Sequence, residues 1–190
     1  VILDQLADRH LGALRSELAA LDRAGLKRVA AALRDAQLAG RRVFVLGNGG
    51  SAMNASHLAC DLGSGVAGPG VPRCRALGLT DSAAVVTARA NDASFAHVFV
   101  DQLETHYEPR SVVLALSASG DSENVLAAVD WARARDGVTV ALVGSGGGKL
   151  ASRVDHALVS ASACPGVVES LHAAVGHLLC DFLRRPPTDP

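Results

Sequence analysis

Five short apolar runs, at 42–47, 75–79, 111–116, 138–143 and 157–159, alternate along the chain with longer stretches of helical character near 51–62, 81–107, 122–135 and 148–153. No other feature restricts the fold as much. Strands that alternate with helices join through right-handed crossovers into a parallel sheet with helices on both faces. The expected architecture is therefore α/β: a five-stranded parallel sheet in a flavodoxin-like three-layer sandwich. An apolar fraction of 49%, mostly Ala, Leu and Val with only six aromatic residues, fits aliphatic helices on an aliphatic sheet better than a β-sandwich.

Helical periodicity extends beyond this core. Leu11, Leu14, Leu18 and Leu21 recur at 3-4-3 spacing, and Leu26, Val29 and Leu33 continue the pattern, so two amphipathic helices precede the first strand. A last helix over about 167–183 carries Leu171, Val175, Leu178 and Phe182 on one stripe. These helices offer more apolar surface than one small sheet can cover, which predicts a helical bundle between subunits. The 190 residues read as one domain, with a helical segment at 1–40 and the α/β core at 41–190. "GSGVAGPGVP" at 63–72 is read as a loop, and "RRPPTDP" at 184–190 as a frayed tail.

Charge and cysteine content exclude several classes. Eighteen basic and nineteen acidic residues, without a long run of either, leave no footprint for a nucleic-acid backbone. Cys60, Cys74, Cys164 and Cys180 form no CxxC pair, so buried, reduced thiols are expected. No signal peptide is seen and no apolar stretch approaches a membrane span, so a cytoplasmic protein without a membrane partner is expected.

Chemistry in an open parallel sheet sits beyond the carboxyl ends of the strands. Three loops there are unusual: "GNGGS" at 47–51, "SASGDS" at 117–122 and "GSGGG" at 144–148. Each is expected to lead into a helix whose free N–H groups favour an anion. The third fails as a nucleotide-binding P-loop, because only three residues separate Gly144 from Gly148 and Leu150 stands where a hydroxyl should hold magnesium. The second brings the hydroxyls of Ser117, Ser119 and Ser122 to one turn, with Gly120 permitting close approach, and suits a phosphate monoester; an ionised Asp121 would oppose it. In the helix after the first loop, His57 and Asp61 share a face at i and i+4.

"GNGGSAMNASHLACDL", "SASGDSENV" and "ESLHAAVGH" are similar, in order and spacing, to the signatures of the sugar isomerase (SIS) domain family, and most resemble its phosphoheptose isomerases. The resemblance covers nearly the whole chain. It implies an SIS-type fold, a homo-oligomer (tetramer or dimer) with active sites near subunit interfaces, and interconversion of sedoheptulose 7-phosphate with a heptose 7-phosphate. It places the phosphate on Ser51, Ser117, Ser119 and Ser122, with Gly49, Gly50 and Ala118 in the same loops. Asn48 and Asp92 would orient the sugar, Asp61 and His177 would be catalytic, and Glu169 would also face the substrate. In zinc-containing members the ligands fall on His57, Asp61, Glu169 and His177, so one Zn²⁺ per subunit is implied.

Several positions depart from the family pattern. Asp61 is a methylene shorter than the family glutamate, Glu169 replaces a glutamine, Ala118 a threonine and Asp121 an asparagine, while Gly65 stands where arginine is common. Another ketose phosphate, such as an octulose phosphate, is therefore an alternative substrate; a non-catalytic sugar-phosphate-binding or regulatory module is an alternative of another class.

Isomerisation through an enediol needs a group that shuttles a proton between adjacent carbons, one that serves the carbonyl oxygen, and a phosphate handle. Asp61 and His177 are suitable types for the first two, and two histidines with two carboxylates also suit Zn²⁺, which could polarise the carbonyl. Spacing complicates the ligand set: Glu169 and His177 are eight residues apart, roughly 12 Å along a regular helix. His172, one turn from Glu169, is the geometric rival; His177 is kept because the helix start near 165–166 need not be regular. His10, His97, His106 and His156 are read as core or surface residues, and Tyr107 and Trp131 as packing groups.

Overall fold

β-branched and aliphatic side chains alternate between the two faces of a strand. In the structure, a computed structural model that describes residues 1–187, both sets are buried in the three central strands. The strands β1 (Arg42–Leu46), β2 (Arg75–Gly78), β3 (Val112–Ser117), β4 (Val138–Val143) and β5 (His156–Val159) form one parallel sheet in the order β2-β1-β3-β4-β5. Val43 and Val45 of β1 join Val112, Leu114 and Leu116 of β3 in one core. Phe44 and Leu46 turn the other way and meet Val113 and Ala115 in a second. The predicted three-layer α/β architecture is thus observed.

Helices α2 (Arg23–Leu38), α3 (Gly50–Cys60) and α7 (Pro165–Leu183) cover the first face, through Val29, Leu33, Ala55, Leu58, Leu171 and Val175 among others. The second face is covered by α5 (Val100–His106) and α6 (Glu123–Arg133), which contribute Leu103, Val125 and Val129. Tyr107 and Trp131 pack edge to face there, 5.2 Å apart, as expected. Helix α1 (Ile2–Ala19) buries no residue of its own; it lies on α7 and leaves Leu3, Leu6, Leu11 and Leu18 exposed.

Four local expectations are corrected. The stretch 81–107 is two helices, α4 (Ala83–Asp92) and α5, separated by a 3-10 turn at Phe95–His97, because Ser94 takes an extended conformation and caps that turn through Ala96 N–H. No helix forms at 148–153, where the chain makes turns; Gly146, Gly147 and Gly148 all have positive φ, which breaks helical propagation. Two of the four cysteines, Cys60 and Cys164, are exposed rather than buried. The apolar α7 is, by length and composition, long enough to cross a bilayer, yet half of it is buried within the protein.

The tail is anchored at its first residues. Arg34, buried on α2, donates to the carbonyls of Phe182, Leu183 and Arg185 and so satisfies the carbonyl end of α7. Arg184 Nε donates to Gly65 O at 2.7 Å. The rest of the expected frayed segment, 188–190, lies outside the described residues.

Candidate active site

The chain leaves β1 toward β2 on one side and leaves β3 toward β4 on the other, so the boundary between β1 and β3 is the topological switch point of the sheet. Ligands bind at such a boundary because the loops diverge and open a crevice. The two informative loops end the two strands that flank it. Gly49, with φ 55° and ψ −124°, turns the chain from β1 into α3, a conformation that disfavours a side chain. Asn48 and Asn124, the latter buried in the first turn of α6, exchange amide hydrogen bonds of 2.8 and 3.0 Å and join the loops across the boundary. A recess of about 290 Å³ opens beside Gly47, Asn48 and Gly49, with Thr80, Thr87 and Phe95 in its wall.

The serine loop is a tight turn. Ser117 Oγ accepts from Gly120 N–H at 3.0 Å, and Ser119 Oγ accepts from Asp121 N–H at 3.2 Å. Ser122 stands at the N-cap of α6, but its side chain caps nothing. Asp121 Oδ1 accepts from the backbone N–H of Lys149, so this carboxylate is engaged by the loop after β4. That third loop buttresses the second: a Cβ on Gly120 would strike Gly147, and one on Gly148 would strike Ser119. The close approach expected of Gly120 is thus made by a neighbouring loop, and no helix follows 144–148 to form a third anion site. Ala118 is half-buried, its carbonyl against Gly144.

Helix α3 starts with Gly50 and the buried Ser51 and runs back along the sheet until, at Asp61, it passes into a π-helical turn, Asp61–Gly65. Such turns recur at functional positions. Here His57 and Asp61 meet His177 of α7. His57 Nε2 lies 3.5 Å and His177 Nε2 lies 3.9 Å from Asp61 Oδ2, and the two rings sit edge to face with centroids 5.1 Å apart. One donor atom from each of the three residues falls within 4.8 Å of the others. His57 and His177 are 55% and 57% exposed and Asp61 27%, so the group opens to the surface. Two imidazoles and a carboxylate are a donor set suited to Zn²⁺.

Other sequence-derived residues lie apart from this group. Helix α7 is regular from Pro165 onward, so the eight-residue spacing keeps Glu169 away from His177. Its carboxylate instead faces the start of α3, where a Cβ on Gly50 would collide with it, and its carbonyl accepts from Asn54 Nδ2 at 2.8 Å. Asp92 ends α4, exposed, and accepts a hydrogen bond from the neighbouring Asn91. His172 is buried beneath the surface that His177 presents, with its pKa pushed down to about 4 by desolvation. Asn124 escaped the sequence reading; its place two residues after the last loop serine was the available signal.

The SIS domain family model matches residues 9–144. The phosphoheptose isomerase of Rhodospirillum rubrum is 40% identical over 146 residues, 77% of each chain. Among solved structures, the phosphoheptose isomerase GmhA from Neisseria gonorrhoeae superposes with a TM-score of 0.87 at 26% identity, over 96% of this chain and 98% of that one. A phosphoheptose isomerase from Francisella tularensis does so at 0.86 and 28% identity, with the same coverage. Sequence and fold agree over nearly the whole length, and the chain belongs to the SIS domain family, where its relatives are phosphoheptose isomerases.

Proposed function

We propose that the protein is an aldose–ketose isomerase that converts sedoheptulose 7-phosphate into a heptose 7-phosphate through an enediol. The observation that carries this reading is the pairing of a hydroxyl-rich turn at the switch point, with Ser122 uncommitted to its helix, and the convergent His57, Asp61 and His177. The phosphate binds Ser51, Ser117, Ser119 and Ser122 at the starts of α3 and α6, where helix dipoles favour an anion. Asn48, held by Asn124, orients the sugar chain in the adjoining recess, with Gly49 and Gly50 giving the backbone access.

The Asp61 carboxylate takes a proton from C1 of the ketose and returns it to C2, while His177 moves the proton of the C1 hydroxyl to the C2 oxygen. A positioned acid–base pair of this kind accelerates proton transfer by about 10²–10⁴-fold. His57, Asp61 and His177 also fit Zn²⁺, which would polarise the carbonyl oxygen when bound. Glu169 belongs with the substrate loops in this reading, not with the metal ligands, because its carboxylate lies against Gly50.

Ser51 and Asp61 are ten residues apart, about 15 Å along the helix axis, so one subunit could join its serine loop to its own Asp61 only through a fully extended heptose phosphate. One subunit's serine loop therefore works with another's Asp61 and His177 in a homo-oligomer. The exposed leucines of α1 and the exposed Leu178 and Phe182 of α7 support such an assembly. A cytoplasmic enzyme with one metal per subunit completes the reading.

The test is NMR of purified protein with sedoheptulose 7-phosphate in D₂O, as isolated, after chelation and with Zn²⁺ restored. An aldose labelled at C2 is expected, with turnover lost on chelation and recovered with Zn²⁺. No deuterium incorporation under any of these conditions would overturn the heptose assignment.

A further inference from the structure

His172 is 3% exposed, yet neither of its ring nitrogens has a hydrogen-bond partner among the described residues. A neutral imidazole has one N–H to donate and one lone pair to fill, and buried polar groups nearly always find partners. Burial holds this ring neutral, with a pKa of about 4. It therefore presents a donor on one side and an acceptor on the other throughout the neutral range.

Two small voids touch the ring. One, of about 10 Å³, lies between His172 and the side chains of Asn54, His57, Asp61 and His177. The other, also about 10 Å³, is walled by Leu142, Leu158 and Val175 and contains one polar side chain besides His172, Ser160. Ten cubic ångströms is about the space for the centre of one water, and a buried water needs two to four polar partners. Carbon makes up most of the wall of both, but four further polar side chains border the first and one the second. Gly176 helps keep the first open, since it lines the same void without a side chain.

We propose that His172 is a positioning residue that holds one ordered water against Asp61, and that this water sets the orientation of the Asp61 carboxylate between His57 and His177. The ring itself touches neither substrate nor metal. Its effect resembles that of groups behind metal ligands, whose loss typically costs 10–100-fold in metal affinity or activity. The consequence for turnover rests on the isomerase reading above; the water and its effect on metal binding do not.

The experiment has two arms. A high-resolution crystal structure of the wild-type protein is expected to show a water within about 3.2 Å of both a His172 ring nitrogen and an Asp61 oxygen; a dry void overturns the proposal. In the second arm, Zn²⁺ is titrated into chelated wild-type, His172→Leu and His172→Gln proteins, and kcat and KM are measured on each. His172→Leu is expected to bind Zn²⁺ about tenfold more weakly and to lose about tenfold in kcat with little change in KM, while His172→Gln, which can still hold a water, recovers part of both. Wild-type Zn²⁺ affinity and kcat in a folded His172→Leu would make His172 a core spacer and sink the idea. If wild-type protein proves inactive on the heptose, the water and the Zn²⁺ titration still decide this question. If His172→Leu does not fold, the wild-type water and His172→Gln decide it.

Discussion

The amino end of the sheet and the candidate site treat polar side chains differently. At the amino end, polar groups are committed to one another. Glu108 receives Arg42 at 2.8 Å and Arg75 at 2.9 Å, joining β1, β2 and the approach to β3, and these contacts hold its carboxyl below the usual range. Asp155 accepts from both the N–H and the hydroxyl of the fully buried Thr139, each at 2.8 Å. In the candidate site Ser122 sits at a cap position without capping, and Asp61, at the far end of α3, is shared by two exposed histidines at 3.5 and 3.9 Å, longer than good hydrogen bonds. Groups that serve the fold have their partners already, whereas groups kept for a ligand are held in place with capacity left over.

The contrast breaks most sharply if Asp61 matters only to stability. Asp61→Ala is expected to lower kcat by about 10²–10⁴-fold while shifting the melting temperature little, because its contacts with the two histidines are long and partly exposed. Steady-state kinetics beside a thermal melt checks both halves; a stable variant of wild-type activity would remove Asp61 from the chemistry.

A second effect tests the buried ring behind the open site. Histidine titrates near 6.5 when unfolded and His172 near 4 in the fold, so between those values the unfolded chain binds more protons. Stability is full above about pH 6.5 and declines as pH falls toward 4, by roughly 3 kcal/mol in total. Denaturant melts from pH 7 to pH 4 should show this slope, and His172→Leu should flatten it.

At the amino end, Asp155→Ala leaves the buried Thr139 donors unmet and should cost about 1–3 kcal/mol by urea unfolding, with kcat and KM unchanged. A loss of activity at matched stability would blur the division between the two regions.

The smallest effect compares two helix-start serines. Ser82 Oγ accepts from Val85 N–H and caps α4, so Ser82→Ala should cost about 1 kcal/mol without touching KM. Ser122→Ala should leave stability nearly unchanged and raise KM for the sugar phosphate by about tenfold, since one hydrogen bond to an ionised group is worth about 1.5 kcal/mol or more. Equal stability losses in the two variants would mean that Ser122 serves its helix after all.

Local chemistry was legible without coordinates. The strand runs, the glycine turn at Gly49 and the serine turn before α6 follow from periodicity and from residues that few other conformations accept. The i, i+4 pair His57 and Asp61 was also visible, because helix geometry places such residues on one face. The break between α4 and α5 was harder to see, since Ser94 acts through an extended conformation that its identity allows but does not require. At 148–153 the three consecutive glycines at 146–148 are the signal against a helix.

The sequence by itself determined the layers, the loops and the types of group available for chemistry, because these depend on backbone preference and on spacing within one element. Only the tertiary structure decided that His177 joins His57 and Asp61, that Glu169 turns to Gly50, that Asn124 locks Asn48, and that His172 is enclosed. Each of these rests on how α3, α6 or α7 packs against a distant part of the chain. His172 and His177, five residues apart on α7, present different faces to that packing, and spacing along the chain cannot say which face turns inward.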